Sequence, residues 1–171
     1  HGKTLAIIGD CIHSRVAHSL MELLPQFGCK IILAGPEECL PKHLDSHLDS
    51  AMFHLTTDTE EAIIKSDFLY LLRIQKERHL GAAAYYDGYL YKHGVSLSRL
   101  EELMVRGKIS KIPLAYHPGP ANVGVELDHA LLKSHYYRAH AQVTNSVYMR
   151  MSIIKAMLTN LGDARTALNS A

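Results

Sequence analysis

The chain has 171 residues, 47% of them hydrophobic and 20% charged, with a formal net charge of +1. That is enough for one α/β domain with a sizeable core, and the composition is that of a soluble globular protein. The charge balance argues against a nucleic-acid or anionic-membrane surface, no apolar stretch is long enough to span a bilayer, and residues 1–10 read as strand and turn rather than as a secretory signal.

The pattern alternates strand and helix. The continuous apolar run at 4–9 predicts a buried strand. Ser14 is placed to cap a helix through Val16, Leu20, Leu23 and Leu24, with Pro25 late in it and Gly28 at its end. Residues 29–34 predict a second strand, closed by Gly35 and Pro36. A helix carrying Leu40, Leu44 and Leu48 is expected next, with Pro41 near its start. A short strand at 52–55, a helix at 59–63 capped by Asp58, and a strand at 68–72 follow.

Residues 79–94 are the least regular stretch. Gly81, Gly88 and Gly94, with Tyr85, Tyr86, Tyr89 and Tyr91, predict an excursion containing a short helix, of the kind that is usually functional inside an α/β domain. A helix is expected over 98–104 and a fifth strand over 112–116, weakened by Pro113. Two prolines and a glycine exclude regular structure at 117–122. A long helix is expected over 143–161, with Val147, Met151, Ile154 and Leu158 on one stripe. The domain is placed at 1–161, and 162–171, small and polar, are expected to form a frayed, disordered tail. This alternation implies an α/β class: a Rossmann-like three-layer domain around a central parallel sheet of about five strands, with ligands at the strands' carboxyl ends.

Three polar segments follow apolar strands at those ends. In the first, Gly9 to Arg15, a glycine and a helix N-terminus suit an anion; the plainer reading is a capped turn. Only Gly9 fits a dinucleotide fingerprint, which argues against a nucleotide-dependent oxidoreductase. The second gathers Arg73, Gln75, Glu77 and Arg78 directly after the fourth strand, where an ordinary turn would carry Gly, Asn, Asp or Ser. Arginine's planar fork suits a carboxylate or phosphate, and Glu77 can hold Arg73 or Arg78 in place; a solvated loop is the alternative. In the third, His117 to Pro120, prolines fix the backbone and Gly119 lets a ligand approach carbonyls that accept from an amide or amine; a structural turn is the alternative. A cis bond before Pro118 or Pro120 is compatible with the pattern.

The twelve histidines include His43 with His47 and His135 with His140, but no third ligand at zinc spacing, so no metal is expected. The tyrosines lack a basic stripe and read as packing, not as base-stacking platforms. Cys11, Cys29 and Cys39, odd in number and widely spaced, read as reduced thiols of a cytoplasmic protein. A chain that opens on His1 and enters a core strand by residue 4 is expected to be preceded by a further segment.

Together the three segments resemble the second half of aspartate carbamoyltransferase, from Thr4 to about Leu158. The resemblance is carried by Gly9-Asp10 with His13-Ser14-Arg15-Val16, by the run from Leu72 through Arg73 to Arg78, by His117-Pro118-Gly119-Pro120 with Asn122, by Gly124-Val125-Glu126, and by the run from Gln142 to Val147. The Ser-Met-Gly and His-Cys-Leu-Pro elements of the ornithine enzymes are not in the sequence.

The resemblance implies an aspartate-binding domain in which Arg15 and Arg73 hold the aspartate carboxylates and Gln75 lies near the amine and carboxylate. Pro118 and Gly119 would meet the carbamoyl group of carbamoyl phosphate by their backbone; the family often has Leu at the position of Gly119. Glu77 and Arg78 would belong to domain closure, and 79–94 to a loop that moves with it. The carbamoyl-phosphate domain, with its Ser-Thr-Arg-Thr-Arg loop, has no counterpart in these residues. The chain alone is therefore expected to be inactive, and the last helix, which in the family returns to that domain, to expose its apolar stripe. The parent would convert carbamoyl phosphate and L-aspartate to N-carbamoyl-L-aspartate and phosphate in pyrimidine biosynthesis, as a cytoplasmic homotrimer without cofactor, nucleic-acid or membrane partner. The rival expectation is a non-catalytic binding or scaffold protein that kept the fold.

Overall fold

The structure is a computed structural model that describes residues 1–74 and 88–169, with side chains through 159. Five strands build one sheet: β1 (Thr4–Ile8), β2 (Lys30–Ala34), β3 (Phe53–Thr56), β4 (Phe68–Leu71) and β5 (Leu114–Tyr116). Their order is β3-β2-β1-β4-β5 and every pairing is parallel. The chain moves outward from β1 through β2 to β3, then returns to the other side of β1 as β4. The strand order therefore reverses between β1 and β4, the place where open α/β sheets leave a crevice at their carboxyl ends.

Period-two alternation divides the core between the two faces of the sheet. Ala6, Ile8, Ile32, Ala34, Leu69, Leu71 and Ala115 pack with α2 (Thr59–Ile64), α4 (Leu97–Val105) and α5 (His129–Lys133) through Ala62, Ile63, Leu100, Leu103 and Leu131. Ile7, Ile31, Leu33 and Tyr70 face the opposite way, with Ala17 and Met21 of α1 (Arg15–Leu23). Strands covered on both faces read as continuous apolar runs, which is why 4–8, 30–34 and 68–72 look alike in sequence.

The helix ends follow local chemistry. Ser14 Oγ accepts from Ala17 N–H at 3.2 Å and starts α1. Gly28, at φ 68°, closes the 3-10 turn Leu24–Phe27 that follows it. Asp58 accepts from the N–H groups of Glu60 and Glu61 at the start of α2. Ser96 caps α4 and Asp128 caps α5. Gly88 begins the short α3 (Tyr89–Lys92), the part of the expected excursion's helix that is described; 75–87 lie outside the described residues.

Three expectations need correction. No helix carries Leu40, Leu44 and Leu48. A 3-10 turn, Glu37–Cys39, stops at Leu40, whose backbone is extended at φ −105° and ψ 139° because the residue before a proline is pushed out of the helical region. Leu40 is still buried, and Leu44 and Leu48 still pack against the α1-side core, so their fourfold spacing reflects burial without a helix. The fifth strand begins at Leu114, after Pro113, which has no N–H for the ladder. The last helix, α6, runs Ala139–Asn169. It extends beyond the expected 143–161 at both ends, and Ala164, Arg165, Ala167 and Leu168, all good helix formers, suit its course to Asn169. His1–Arg138 and Ala139–Ala171 are separate compact units. On α6 the expected stripe is exposed: Val147 49%, Met151 60%, Ile154 57% and Leu158 64%. No helix among the described residues is long and apolar enough to cross a membrane.

Candidate functional site

The ends of β1 and β4 touch. Leu72 N–H donates to Ile8 C=O at 2.8 Å. A Cβ added at Gly9 would lie 3.0 Å from both the Cβ and the carbonyl oxygen of Leu72, and Gly9 holds φ at 126°. Any side chain at Gly9 would force the two strand ends apart, so glycine is a packing requirement at the switch point. The polar segments after these strands are thereby brought side by side.

After β1, Asp10 is buried and its carboxylate organises the turn. It accepts His13 N–H at 3.2 Å and faces His13 Nδ1 at 2.9 and 3.0 Å through its two oxygens. A carboxylate only accepts, so Nδ1 carries the proton. Arg15 is the first residue of α1; it is exposed, and no hydrogen bond or ion pair engages its guanidinium among the described residues. No acidic side chain lies in that first helical turn. A free cation beside a helix's positive end forms an anion-favouring corner. The adjacent Cys11 thiol is pushed up by burial, then by Cys39 and Asp10, and stays inert as a nucleophile.

After β4, Arg73 is half-buried, and its Nε is buried with no hydrogen-bond partner among the described residues. Ile74 is fully buried against Tyr89 and Val125, and its carbonyl accepts from Asn122 Nδ2 at 3.3 Å. Gln75, Glu77 and Arg78 lie outside the described residues.

After β5, His117 is 1% exposed. Its Nδ1 accepts Gly119 N–H at 2.8 Å, and its Nε2 stands 3.4 Å from Oε1 of Glu126, itself 3% exposed. Asn122 N–H donates to the same Glu126 oxygen. Gly119 has φ 70°, and the Gly119–Pro120 peptide is cis, one of the two bonds read as compatible with it. Val95 N–H donates to Glu126 C=O at 2.9 Å and ties this loop to the segment before α4.

β1, β4 and β5 are neighbours in the sheet, so Arg15, Arg73, Pro118 and Gly119 all follow the carboxyl ends of three adjacent parallel strands. A concavity of about 850 Å³, lined by none of these residues, lies between α2, α3 and α4. Its arginines are engaged: Arg106 lies 3.4 Å from Glu60 and 3.6 Å from Glu102, and Arg99 donates to Gly94 C=O at 2.9 Å. The strand ends, with a buried donor and an exposed cation that are both unpaired among the described residues, are the better ligand site.

A family model of the aspartate/ornithine carbamoyltransferase Asp/Orn binding domain matches residues 1–157. The chain belongs to this family. Among its relatives, the aspartate carbamoyltransferase catalytic subunit of Thermus aquaticus is 36% identical over 161 residues, which are 94% of this chain and 50% of that protein. The Enterococcus faecalis subunit is 37% identical over 158 residues, 92% and 47% respectively. An aspartate transcarbamoylase from Trypanosoma cruzi, solved with N-(phosphonacetyl)-L-aspartic acid, superposes with a TM-score of 0.71 at 28% identity, over 90% of this chain and 48% of that one. The ornithine carbamoyltransferase of Thermus thermophilus, at 22% identity and TM-score 0.61, shares the fold. The chain spans about half the length of the curated relatives it matches.

Within this carbamoyltransferase domain, sequence reasoning gave no role to Asp10, His13, His117, Asn122 or Glu126. Their side chains meet through turns and across loops, and spacing alone does not reveal that. The signals that pointed toward them were the density of polar residues directly after buried strands and their place in the runs that carry the family resemblance.

Proposed function

We propose that this chain is the aspartate-binding half of an aspartate carbamoyltransferase, which moves a carbamoyl group from carbamoyl phosphate to the amine of L-aspartate. The observation that carries this reading is Arg73: a buried guanidinium Nε with no partner among the described residues, at the sheet's switch point, beside the strand that leads into an Arg15 equally unengaged among them. A buried unpaired donor is costly, and a carboxylate ligand would satisfy it with a charge-assisted bond. Two arginines match the two carboxylates of aspartate; ornithine has only one carboxylate and a second amine.

The β5 loop complements them. Pro118 and Pro120 have no N–H, and that of Gly119 is spent on His117, so this segment offers acceptors alone. Acceptors suit an attacking amine and a carbamoyl NH₂, and they repel anions. In the reaction, the amine attacks the carbamoyl carbon, a tetrahedral intermediate forms, and phosphate leaves. This half contributes orientation, which can supply much of the barrier reduction. Stabilisation of the developing oxyanion and capture of phosphate belong to the carbamoyl-phosphate half. Gln75 near the amine, and Glu77 with Arg78 in closure, complete the proposed assignment. The exposed apolar stripe of α6 fits burial against that other half, within a homotrimeric cytoplasmic enzyme.

The test is an assay with carbamoyl phosphate and L-aspartate, using the chain alone and joined to a carbamoyl-phosphate-binding half. The chain alone should give no N-carbamoyl-L-aspartate, and the joined protein should form it from aspartate but not from ornithine. Turnover by the chain alone, or none by a folded joined protein, would refute the proposal in favour of a complete enzyme or a non-catalytic binding protein.

A further inference from the structure

The β5 loop's lack of donors is itself imposed from below. For His117 Nδ1 to accept Gly119 N–H, the ring proton must sit on Nε2. Nε2 faces Glu126 Oε1 at 3.4 Å, inside a site where both residues are almost fully enclosed. Oε1 is an acceptor, because Asn122 N–H already points at it. Asn122 then uses its side chain to hold the carbonyl of Ile74, next to Arg73. Neither the Pro118 nor the Gly119 carbonyl takes a hydrogen bond from a described residue.

We infer that Glu126 is a positioning residue: its Oε1 selects the Nε2–H tautomer of His117, and through that ring commits the Gly119 N–H, so that the β5 loop meets the ligand with carbonyls alone. The same oxygen, through Asn122, fixes the β5 loop to the end of β4. One buried carboxylate thereby sets the relation between the acceptor loop and Arg73. Freed from His117, the Gly119 N–H would become a donor beside a site built for an amine, and would weaken its selectivity against anions. The identity of the amine rests on the function proposed above; the tautomer and the hydrogen bonds do not.

Asn122 N–H donates to Oε1, while His117 Nε2 faces the same oxygen at 3.4 Å as a charge contact; neither Nε2 nor Oε2 has a hydrogen-bond partner among the described residues. Glu126→Gln, with its amide oxygen at the Oε1 position, therefore preserves the arrangement, whereas Glu126→Leu removes it. Nitrogen-15 NMR of His117 in the ligand-free chain reads the tautomer directly, and exchange of the Gly119 amide reads the bond it controls. The expected result is Nε2–H in the wild type and in Glu126→Gln. In Glu126→Leu the preference and the Gly119 protection are lost. In the joined enzyme, Glu126→Gln should stay within about threefold of wild type, and Glu126→Leu should lose about tenfold or more in kcat/KM for aspartate while still folded. An Nδ1–H tautomer in the wild type, loss of Nε2–H in Glu126→Gln, or an unchanged tautomer in Glu126→Leu overturns the inference. If Glu126→Leu does not fold, the wild type and Glu126→Gln decide it. Since the NMR needs no substrate, a correct tautomer with no aspartate carbamoylation would refute the function alone, and the reverse would refute this inference alone.

Discussion

Replacing Arg73 by lysine should move stability and catalysis in different directions. The buried Nε of Arg73 finds no partner among the described residues, and an unsatisfied buried donor of this kind costs about 1–3 kcal/mol. Lysine places a methylene near that position and keeps the charge, so the unliganded fold loses no hydrogen bond and sheds an unpaired donor. The melting temperature of the chain should hold or rise, by about 2–4 °C per kcal/mol recovered. If aspartate binds here as proposed, the sign reverses. A hydrogen bond to a charged group contributes about 1.5–3 kcal/mol, and lysine offers a movable point charge in place of a fork. That predicts a loss of about 10- to 100-fold in kcat/KM for aspartate. The assay pairs thermal melting of the 171-residue chain with steady-state kinetics of the chain joined to a carbamoyl-phosphate-binding half. A drop of many degrees in melting temperature would make Arg73 a structural residue. Unchanged kinetics would return it to a solvated loop.

Two further outcomes follow from the fold. Glu61 accepts from Lys65 Nζ at 2.6 Å and from Thr56 Oγ1, and lies 3.1 Å from His54 Nε2; these bonds, Lys65's first, lower its carboxyl to about 2. A carboxyl with a folded pKa below its unfolded value of about 4.3 stabilises the fold above that value and loses the contribution as pH falls toward the folded pKa. Between pH of about 5 and about 2, Glu61→Gln should therefore show a shallower fall in melting temperature than the wild type; a steeper one would contradict the assignment. Asp58→Ala, which strips the cap from the Glu60 and Glu61 N–H groups at 2.8 and 3.2 Å, should cost about 1 kcal/mol and lower the melting temperature by about 2–4 °C. Asp58→Asn should recover most of that, and failure to recover would point to charge in place of capping.

The strands, their parallel arrangement and most helix starts were legible in the sequence because they rest on local chemistry. Uninterrupted apolar runs mark strands buried on both faces, and Ser14, Asp58 and Gly28 act within a turn of their own positions. Polar residues packed directly behind those runs pointed to the strand ends. The expected helix over Leu40, Leu44 and Leu48 failed because period and burial were read as helix while Pro41 forces Leu40 into an extended conformation. The strand order was decided only in three dimensions: nothing local shows that the chain crosses back after β3, yet that reversal sets Gly9 against Leu72 and brings the segments of Arg15 and Arg73 together. The bond from Asn122 to Ile74 joins residues 48 apart in the chain. Such contacts exist only once packing has excluded water and left buried polar atoms to find one another. The composition of the site could be read along the chain, whereas the approach of Glu126 to His117 and the burial of the Arg73 Nε were set by the tertiary fold.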